Sequence, residues 1–435
     1  MTVTEPPRKR RSLTHVGGPI EIAGDEEEAS LLGYALEVSA SIEAARQGSP
    51  IEDANEEAED PARAHVHGFH TYPARMHPET ASRLVHAFSP EHGIVLDPFC
   101  GSGTVLVESM IAGRRAMGTD LNPLAVRLAR CKTRPRSQRE LTVLVDHARE
   151  LAAFADERRK ARAGATRRFQ QEDVDLFEPH VLLELDSLRA ALERLTEPAA
   201  RADLALVLSA LLVKLSKKRG DTSEQVAPRR TAAGYTAKLF VKKTEDLARR
   251  LAAFTSLVSS HGRHRERDSG ATAARVELDD ATALRTIDRD ETIDAIITSP
   301  PYAATYDYVS HHALRLRWLG LDPRPLDAGE IGARRNYAAL SPQDALAAWS
   351  EELGRFLDAI ARVLPGGAAA VLMMADSASH GVALRADEII LSLARAHGFI
   401  PSARASQARP HFHGPTRHAF RDRPRAEHAL LLRRA

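Results

Sequence analysis

The five residues Thr298–Tyr302, "TSPPY", carry the clearest chemical signal in the sequence. They follow Ile293–Ile297, an apolar run of the kind that forms a buried strand. Each proline removes a backbone N–H donor and holds the residue before it in an extended conformation. The turn therefore presents the Ser299 hydroxyl and the Pro300 carbonyl oxygen with few competing donors, next to the aromatic ring of Tyr302.

A second stretch, "LDPFCGSGT" at residues 96–104, also follows a short apolar run. Gly101 and Gly103 can adopt positive φ and let a ligand approach the backbone closely, and a helix that starts here has free N–H groups. The spacing differs from the G-x-G-x-x-G fingerprint and lacks a G-K-[ST] ending, so neither a nicotinamide dinucleotide nor ATP is favoured. Asp120, at the end of the next apolar run, is placed to accept hydrogen bonds from both hydroxyls of a ribose. A purely structural turn is the alternative.

The elements around this turn predict the fold. "GIVLDPF" and "RRAMGTD" have the character of short strands, and "TVLVESMIAG" and "NPLAVRLARCK" that of helices, the second with Asn122 as N-cap and Pro123 in its first turn. Strand, glycine turn, helix, strand and helix in this order begin a doubly wound parallel α/β sheet. The same rhythm returns near residue 274, and four segments with helical apolar spacing lie between.

These patterns divide the chain into four parts. Residues 1–62 contain the basic run "PPRKRR" and several acidic runs, and we expect them to form a flexible tail. One amphipathic helix over residues 30–48, between the acidic runs, is the alternative. Residues 63–133 form the cofactor half of an α/β domain and residues 271–435 its catalytic half. Residues 134–270 form a helical insertion within that domain.

Composition limits the class of protein. The 435 residues include 60 basic and 59 acidic side chains, so any nucleic-acid footprint must be local. Cys100 and Cys131 are the two cysteines, without a C-x-x-C spacing, which disfavours a disulfide framework or a cysteine zinc site. Cys100 lies in the glycine turn and no Pro-Cys dipeptide occurs, so we expect it to pack rather than act as a nucleophile. Without a signal-peptide pattern or a run of ~20 apolar residues, the sequence predicts a cytoplasmic, nucleoid-associated protein.

Taken together, "VLDPFCGSGTVLVES", "GTDLNPLAV" and "TSPPY" resemble the motifs of the amino-methyltransferases that use S-adenosyl-L-methionine, the N4-cytosine and N6-adenine DNA methyltransferases. The upstream segment "HTYPARMHPETASRLV", residues 70–85, resembles the one that these enzymes place before the glycine motif. The resemblance covers residues 70–133 and about 274–434. It implies a Rossmann-like class I methyltransferase sheet, here with a helical insertion.

The resemblance also implies a cofactor site. It assigns the methionine end of S-adenosyl-L-methionine to Asp97 and the two turn glycines, the ribose to Asp120 and the adenine amine to Asp280 of "ELDDA". Asp279 is the alternative to Asp280 for this role, because the helical insertion separates the "ELDDA" turn from the second strand of the cofactor half. The upstream segment closes the pocket. The implied cofactor residues are Tyr72, Pro73, Arg75, Asp97, Pro98, Phe99, Gly101, Gly103, Thr104, Asp120, Asn122, Asp280 and Ala281.

The implied catalytic residues are Ser299, Pro300, Pro301 and Tyr302. An exocyclic amine can donate one hydrogen to the Ser299 hydroxyl and one to the Pro300 carbonyl, which turns its lone pair towards the methyl donor, so positioning is the main catalytic contribution. Tyr302 would stack on a base that has left the duplex. A serine at the first position favours cytosine N4, since adenine enzymes more often carry Asp or Asn there. A rigid turn or a proline-rich ligand motif is the alternative.

The predicted substrate is double-stranded DNA with a flipped base, and a cognate restriction endonuclease is a further candidate partner. Methylation of adenine N6 or of guanine N2 in tRNA, and a non-catalytic module with a degenerate cofactor site, are the alternatives. The insertion is the candidate for target recognition. Its proposed phosphate contacts, for which a solvated loop is the alternative, are Lys217, Lys218, Arg219, Arg229 and Arg230.

Other polar residues have weaker signals. His411, His413 and His418 of "HFHGPTRH" lack a helical i, i+4 pair and any cysteine, so we expect no metal. No membrane partner is expected either. Asp307 and Tyr308, just after the catalytic turn, either shape the base pocket or cap and pack the following helix.

Overall fold

The computed structural model describes residues 17–38, 63–222, 225–261, 273–288, 291–409 and 414–435. The strands within these ranges are β1 Ile20–Gly24, β2 Ile94–Asp97, β3 Arg115–Asp120, β4 Arg275–Leu278, β5 Ala295–Thr298, β6 Ala369–Ala375, β7 Ser377–Ser379, β8 Val382–Leu384, β9 Phe399–Ala408 and β10 Ala426–Arg434.

The α-helices of the same ranges are α1 Glu26–Leu36, α2 Pro78–Phe88, α3 Thr104–Ile111, α4 Pro123–Lys132, α5 Gln138–Lys160, α6 Gln171–Leu176, α7 Pro179–Arg194, α8 Pro198–Leu215, α9 Tyr235–His261, α10 Tyr308–Trp318, α11 Arg324–Gly329, α12 Arg334–Tyr337, α13 Pro342–Val363 and α14 Ala386–Ala394. Short 3₁₀ turns lie at His65–Gly68, Arg395–His397 and Gly414–Phe420. None of the helices described is both long enough and apolar enough to cross a membrane.

Eight strands form one twisted sheet in the order β1-β9-β10-β6-β5-β2-β3-β4, and β7 and β8 form a separate hairpin. Strands β2 to β6 are parallel, while β10 lies antiparallel between β6 and β9. The chain leaves β2 towards β3 and β4 on one side and returns to β5 and β6 on the other. This reversal creates a crevice at the carboxyl ends of β2 and β5, where open α/β sheets bind ligands. The predicted Rossmann-like α/β fold is confirmed.

Local sequence explains why the elements begin and end where they do. The Asn122 side chain accepts a hydrogen bond from the Leu124 N–H at 3.0 Å, and Pro123 takes the first helical position of α4. Ser341 caps α13 in the same way, accepting from the Asp344 N–H at 3.1 Å. Every residue of β6 is buried, as expected of a central strand that is covered on both faces.

The helical character predicted for residues 134–270 corresponds to α5–α9. These helices do not form a core of their own. Leu106 of α3 and Leu128 of α4 belong to the same buried apolar cluster as Leu144 of α5, Leu208 of α8 and Phe254 of α9. The insertion therefore packs directly against the cofactor half, which fixes its position relative to the glycine turn.

The prediction of a flexible tail over residues 1–62 is wrong for residues 17–38. Strand β1 pairs antiparallel with β9, and Leu32 and Leu36 of α1 are buried against α2 and the sheet. The acidic run Glu26–Glu28 is the first turn of α1, where carboxylates favour the positive end of the helix dipole, and Asp25 caps it by accepting from the Glu28 N–H at 3.0 Å. The acidic run that we interpreted as part of a solvated tail is thus the first turn of a helix. Residues 1–16 and 39–62 lie outside the described residues.

Candidate active site

One pocket lies at the carboxyl ends of β2, β3 and β5. The glycine turn, the upstream segment, the turn after β4 and the catalytic turn all contribute to its wall. The predicted site residues that line it are Tyr72, Arg75, Asp97, Pro98, Phe99, Gly101, Thr104, Asp120, Asn122, Asp280, Ala281, Ser299, Pro300, Pro301 and Tyr302. Pro73 and Gly103 are not part of this lining. The structure thus brings together residues that are up to 230 positions apart in sequence, from Tyr72 to Tyr302.

The glycine turn is shaped by close backbone contacts. Gly101 has φ +50°, and a Cβ there would lie 3.3 Å from the Tyr72 ring. Gly103, the N-cap of α3, has φ +86°, and a Cβ would lie 3.1 Å from the Ala129 backbone. Both positions require glycine, the first because the upstream segment closes over the turn and the second because α4 packs against it.

Asp120 holds the glycine turn while facing the pocket. Its Oδ2 accepts from the Gly101 N–H and its Oδ1 from the Asn122 N–H, both at 2.8 Å. Burial raises the pKa of its carboxyl group to about 6, although these hydrogen bonds oppose the shift. Each carboxylate oxygen keeps a second lone pair. This arrangement supports the prediction that Asp120 accepts from ribose hydroxyls.

A direct contact joins the glycine turn to the catalytic turn. The Asp97 Oδ1 accepts from the Thr298 hydroxyl at 2.6 Å and from the Phe99 N–H at 3.2 Å. Burial raises the pKa of Asp97 to about 7, and the two donors act against this rise. Sequence analysis did not assign a role to Thr298. Its place beside Asp97 depends on β5 lying next to β2, which the sequence pattern alone does not specify.

The Ser299 and Tyr302 hydroxyls lie close together in the predicted catalytic turn. The Ser299 Oγ lies 3.5 Å from the Tyr302 hydroxyl, and burial raises the pKa of Tyr302. Gly332, at φ +65°, approaches this turn so closely that a Cβ would lie 3.1 Å from Ala303 and 3.2 Å from the Tyr302 carbonyl oxygen. The Ala304 N–H donates to the Gly332 carbonyl at 2.9 Å. The turn is therefore supported from outside the pocket by a segment that sequence analysis did not identify.

Stacked rings form one wall. The Tyr72 ring lies 5.0 Å from His312 and 6.3 Å from Tyr308, with interplanar angles of 21° and 19°. Tyr306, 5.6 Å from Tyr308, extends this wall in the pocket lining. Sequence analysis missed Tyr306, since nothing in its local pattern distinguishes it from a packing residue.

The structure places Asp307 and Tyr308 in different surroundings. Tyr308 lines the pocket, whereas Asp307 caps α10 by accepting from the Ser310 N–H at 3.2 Å. Asp307 also pairs with Arg335 at 3.0 Å. Of the two roles that the sequence left open, Tyr308 lines the pocket, and Asp307 caps the following helix.

Asp279 and Asp280 are also separated by the structure. The Asp279 Oδ2 accepts from the N–H and the hydroxyl of Thr286 at 2.7 and 2.8 Å, and its Oδ1 accepts from the Asp280 N–H at 2.8 Å. Asp279 is therefore committed to the turn after β4. Asp280 lines the pocket, which supports its prediction as the partner of an adenine amine.

The charge balance of the pocket suits a cationic ligand. Asp97, Asp120, Asp280 and Glu330 line it. Arg75 is the one basic side chain in the described lining, and its Nη1 donates to the His67 carbonyl at 2.5 Å. Buried carboxylates without a cation are unfavourable, as the raised pKa values of Asp97 and Asp120 indicate. S-adenosylmethionine, with a sulfonium, an ammonium and a ribose diol, fits these residues.

The basic residues predicted to contact phosphates lie on the loop after α8, outside the pocket. Arg219, Arg229 and Arg230 are exposed, while the Lys217 Nζ donates to the Asp175 carbonyl at 2.6 Å. Asp221 of the same loop accepts from the Thr71 hydroxyl at 2.5 Å and pairs with Arg315. The loop is therefore anchored one residue from Tyr72, at the edge of the cofactor pocket.

His418 of the histidine-rich segment lies in the last 3₁₀ turn, and His411 and His413 lie outside the described residues. The described residues contain two other groups of possible ligand residues: half-buried His65 with buried His67 and Glu108, and the fully buried group of Asp376, Asp387 and His428. In the second group Arg385 pairs with Asp376 at 2.7 Å and Arg404 pairs with Asp387 at 2.6 Å. Arginines thus neutralise those carboxylates.

Comparisons with known proteins agree with the motifs. Residues 42–130 match the N6/N4 methyltransferase family model described as "DNA methylase". Type II methyltransferase M.MvaI of Kocuria varians is 24% identical over 275 residues, which are 59% of this chain and 58% of that protein. Type II methyltransferase M.MjaII of Methanocaldococcus jannaschii is 39% identical over 72 residues, 16% and 13% of the two chains. This chain thus matches less than two thirds of the length of either relative.

Among solved structures, the rRNA methyltransferase aviRa from Streptomyces viridochromogenes matches over 88% of this chain and 94% of its own, with 13% identity. Its TM-score of 0.34 carries no conclusion. The sheet order and the pocket at the carboxyl ends of its strands define a Rossmann-like α/β fold. More particularly, the chain is similar to N6/N4 DNA methylases over residues 42–130 and to a type II methyltransferase over 59% of its length, and this similarity implies S-adenosylmethionine as the methyl donor.

Proposed function

We propose that this protein transfers a methyl group from S-adenosylmethionine to an exocyclic amine of a nucleobase in DNA, with cytosine N4 as the target. The observation that carries the proposal is the 2.6 Å hydrogen bond from Thr298 to Asp97. It joins the end of the cofactor turn to the residue before Ser299, so that the cofactor residues and the catalytic turn share one pocket.

The chain's own residues do the positioning. When bound, S-adenosylmethionine supplies a methyl group on a sulfonium. The Ser299 hydroxyl and the Pro300 carbonyl accept the two hydrogens of the target amine and hold its lone pair out of conjugation with the ring. No strong base is needed, because the extra proton on the methylated nitrogen is acidic and leaves to these acceptors or to water. Orientation is then the main source of rate enhancement.

The target base must leave the duplex, since the acceptors lie inside a pocket. Tyr302 offers a ring for stacking at the acceptors, and Tyr306 extends the aromatic wall. The proposed contacts with the flanking phosphates are made by the loop after α8, through Lys217, Lys218, Arg219, Arg229 and Arg230. Asp221 holds this loop beside the pocket by bonding to Thr71 and Arg315. A protein with this substrate would act on cytoplasmic, nucleoid DNA.

Transfer of a labelled methyl group tests the reaction. Duplexes in which either cytosine or adenine is the sole base with an exocyclic amine on the target strand are compared, and the methylated nucleoside is identified by mass. We expect N4-methylcytosine, because Ser299 stands where adenine enzymes more often have Asp or Asn. Product from the adenine duplex alone would overturn the cytosine assignment. Label in tRNA but in neither duplex would overturn DNA as the substrate.

The relatives are named type II methyltransferases, which suggests a role in restriction and modification with a partner endonuclease. Sequencing of methylated positions in DNA from cells that express the protein tests this role. We expect methylation confined to one short recognition sequence, and protection of that DNA from an endonuclease that cuts the same sequence. Scattered methylation without a common sequence would contradict it.

A further inference from the structure

A groove separate from the active site lies between the edge strand β4, helix α4, the helices α7 and α8, and the end of α10. Nine arginines and three acidic residues line it within the described part of the chain. Arginines thus outnumber the acidic residues of the lining, although the whole protein has a formal net charge of only +1. They come from six separate segments, and no sequence pattern connects them.

Seven of the nine arginines have an acidic partner within 4.0 Å, namely Arg130, Arg134, Arg136, Arg167, Arg189, Arg275 and Arg317. Arg136 pairs with Asp203 at 2.6 Å, in a buried contact, and Arg130 pairs with Glu277 at 2.8 Å. Arg127 and Arg201, in contrast, are exposed and have no ion-pair partner among the described residues. The groove therefore has free positive charge in addition to its structural ion pairs.

The groove also holds guanidinium nitrogens without hydrogen bonds. The Arg167 Nε is 3.5 Å from Asp186, its Nη2 is 4.0 Å from Asp173, and neither nitrogen makes a hydrogen bond although both are buried. The Arg189 Nε, 3.8 Å from Asp186, is also buried and makes no hydrogen bond. Burial and the neighbouring Arg189 lower the pKa of Arg167. Crowded cations with unused donors are what a bound anion would stabilise.

A helix start adds to this field. Helix α8 begins at the groove, where Pro198, Ala199 and Arg201 belong to the lining. Its N-cap, Glu197, makes no side-chain capping hydrogen bond. The first turn of an 18-residue helix thus directs its positive dipole end and its uncapped N–H groups towards the arginines.

We propose that this groove binds backbone phosphates of the DNA substrate at a distance from the target base. The proposal rests on the proposed function. Helix α4 starts at the pocket beside Asn122 and carries Arg127 and Arg130 along the groove to its end at Lys132. At about 1.5 Å per residue, the groove reaches roughly 15 Å from the pocket along this helix. That distance corresponds to about 4–5 base pairs at 3.4 Å each.

An extended polyanion fits better than a small phosphate ligand. The arginines come from the sheet edge on one side of the groove and from the helical insertion on the other. Arg127 and Arg130 lie three residues apart on α4, about one helical turn, and phosphates spaced along a duplex backbone match charges that are distributed in this way. A contact of this kind is independent of sequence, so it positions the duplex and adds affinity without selecting the target.

The test compares two double variants with the wild-type protein. Arg127→Gln/Arg201→Gln removes the two exposed groove charges without breaking an ion pair among the described residues. Arg115→Gln/Arg395→Gln is the matched control, since it removes two exposed charges that lie outside the groove and likewise have no ion-pair partner among the described residues. Affinity for a 30-bp duplex without the recognition sequence is measured between 50 and 200 mM NaCl. We expect the salt slope of the groove variant to fall by about two, roughly one per lost phosphate contact.

The control variant should keep the wild-type slope, and cofactor affinity should be equal in all three proteins. A groove variant that matches the control would overturn this proposal and leave the methyl-transfer activity standing. A wild-type protein that binds no duplex at all would overturn the proposed DNA substrate as well. A groove variant that loses affinity for tRNA but none for the duplex would show that the groove binds RNA instead.

Discussion

The active-site pocket and the arginine groove are built from the two ends of the same helix, yet they carry opposite charge. The pocket, at the start of α4, is lined by Asp97, Asp120, Asp280 and Glu330. The groove, along the rest of α4, is lined by nine arginines and three acidic residues. Although the net charge of the protein is near zero, the acidic pocket suits a cationic cofactor and the groove suits a polyanion. The predictions below test whether the two ligands are in fact separated in this way.

The largest effect is expected from the loop after α8. Lys217→Gln/Lys218→Gln/Arg219→Gln should weaken duplex binding by about 10²–10³-fold at 0.1 M salt and lower the salt slope by up to about three, if each residue contacts one phosphate. Cofactor affinity should not change, because these side chains lie outside the pocket. Binding at graded NaCl concentrations measures both quantities. An unaltered slope would mean that the three residues are an ordinary solvated surface.

Asp120→Ala should have the opposite effect, weakening cofactor binding while leaving duplex binding unchanged. Loss of a buried charged acceptor should weaken S-adenosylmethionine binding by about 1.5–3 kcal/mol. Calorimetric titration with the cofactor measures this loss, and duplex affinity in the absence of cofactor serves as the control because it should persist. Unchanged cofactor affinity would remove Asp120 from the ribose site.

Tyr302→Ala and Ser299→Ala divide the catalytic turn into two roles. Stacking on the extruded base is worth roughly 1–3 kcal/mol, so Tyr302→Ala should raise KM for DNA and lower kcat while cofactor binding persists. Ser299→Ala should lower kcat more than KM, since the hydroxyl only orients the amine. Steady-state methyl transfer to the cytosine duplex measures both constants. Full turnover in both variants would place the chemistry elsewhere.

A smaller, pH-dependent effect is expected for Thr298→Val. Loss of this hydrogen bond to Asp97 should cost about 0.5–1.5 kcal/mol and raise the pKa of Asp97 further above about 7. If the ionised form of Asp97 binds the cofactor ammonium, affinity should rise with pH through about 7, and the variant should need a higher pH for the same affinity. Thr298→Ser should restore the wild-type profile. A cofactor titration from pH 5.5 to 8.5 checks this.

The raised pKa of Asp97 has the opposite effect on the stability of the cofactor-free protein, which should fall as pH rises. A carboxyl group whose folded-state pKa is raised from 3.8 to about 7 stabilises the fold most at low pH, and this contribution is lost as pH rises through about 7. The other ionisable groups facing Asp97 are Asp120, whose pKa is also raised, and Cys100, while the Thr298 hydroxyl and the Phe99 N–H act against the rise. Asp97→Asn should flatten this dependence in thermal melts over pH 4.5–8.

Short-range patterns predicted most of the site-bearing elements. The glycine turn, the Asn122 cap, the proline turn and the strands that precede them are local features, in which residue type and spacing decide backbone conformation. The acidic start of α1 was misinterpreted because the same carboxylates suit a solvated segment and a helix N-terminus. Only the pairing of β1 with β9, nearly 400 residues away, distinguishes the two.

The sequence by itself determined the pocket's chemistry: acids at strand ends, glycines where the backbone must turn sharply, and a serine with two prolines at the catalytic turn. Tertiary structure decided which of these groups meet. Thr298 reaches Asp97 because β5 pairs with β2, and Asp280 rather than Asp279 faces the pocket because Thr286 engages Asp279. The arginines of six segments meet in one groove. Such contacts depend on strand order and helix packing, which arise from interactions between distant segments and leave no local spacing to recognise.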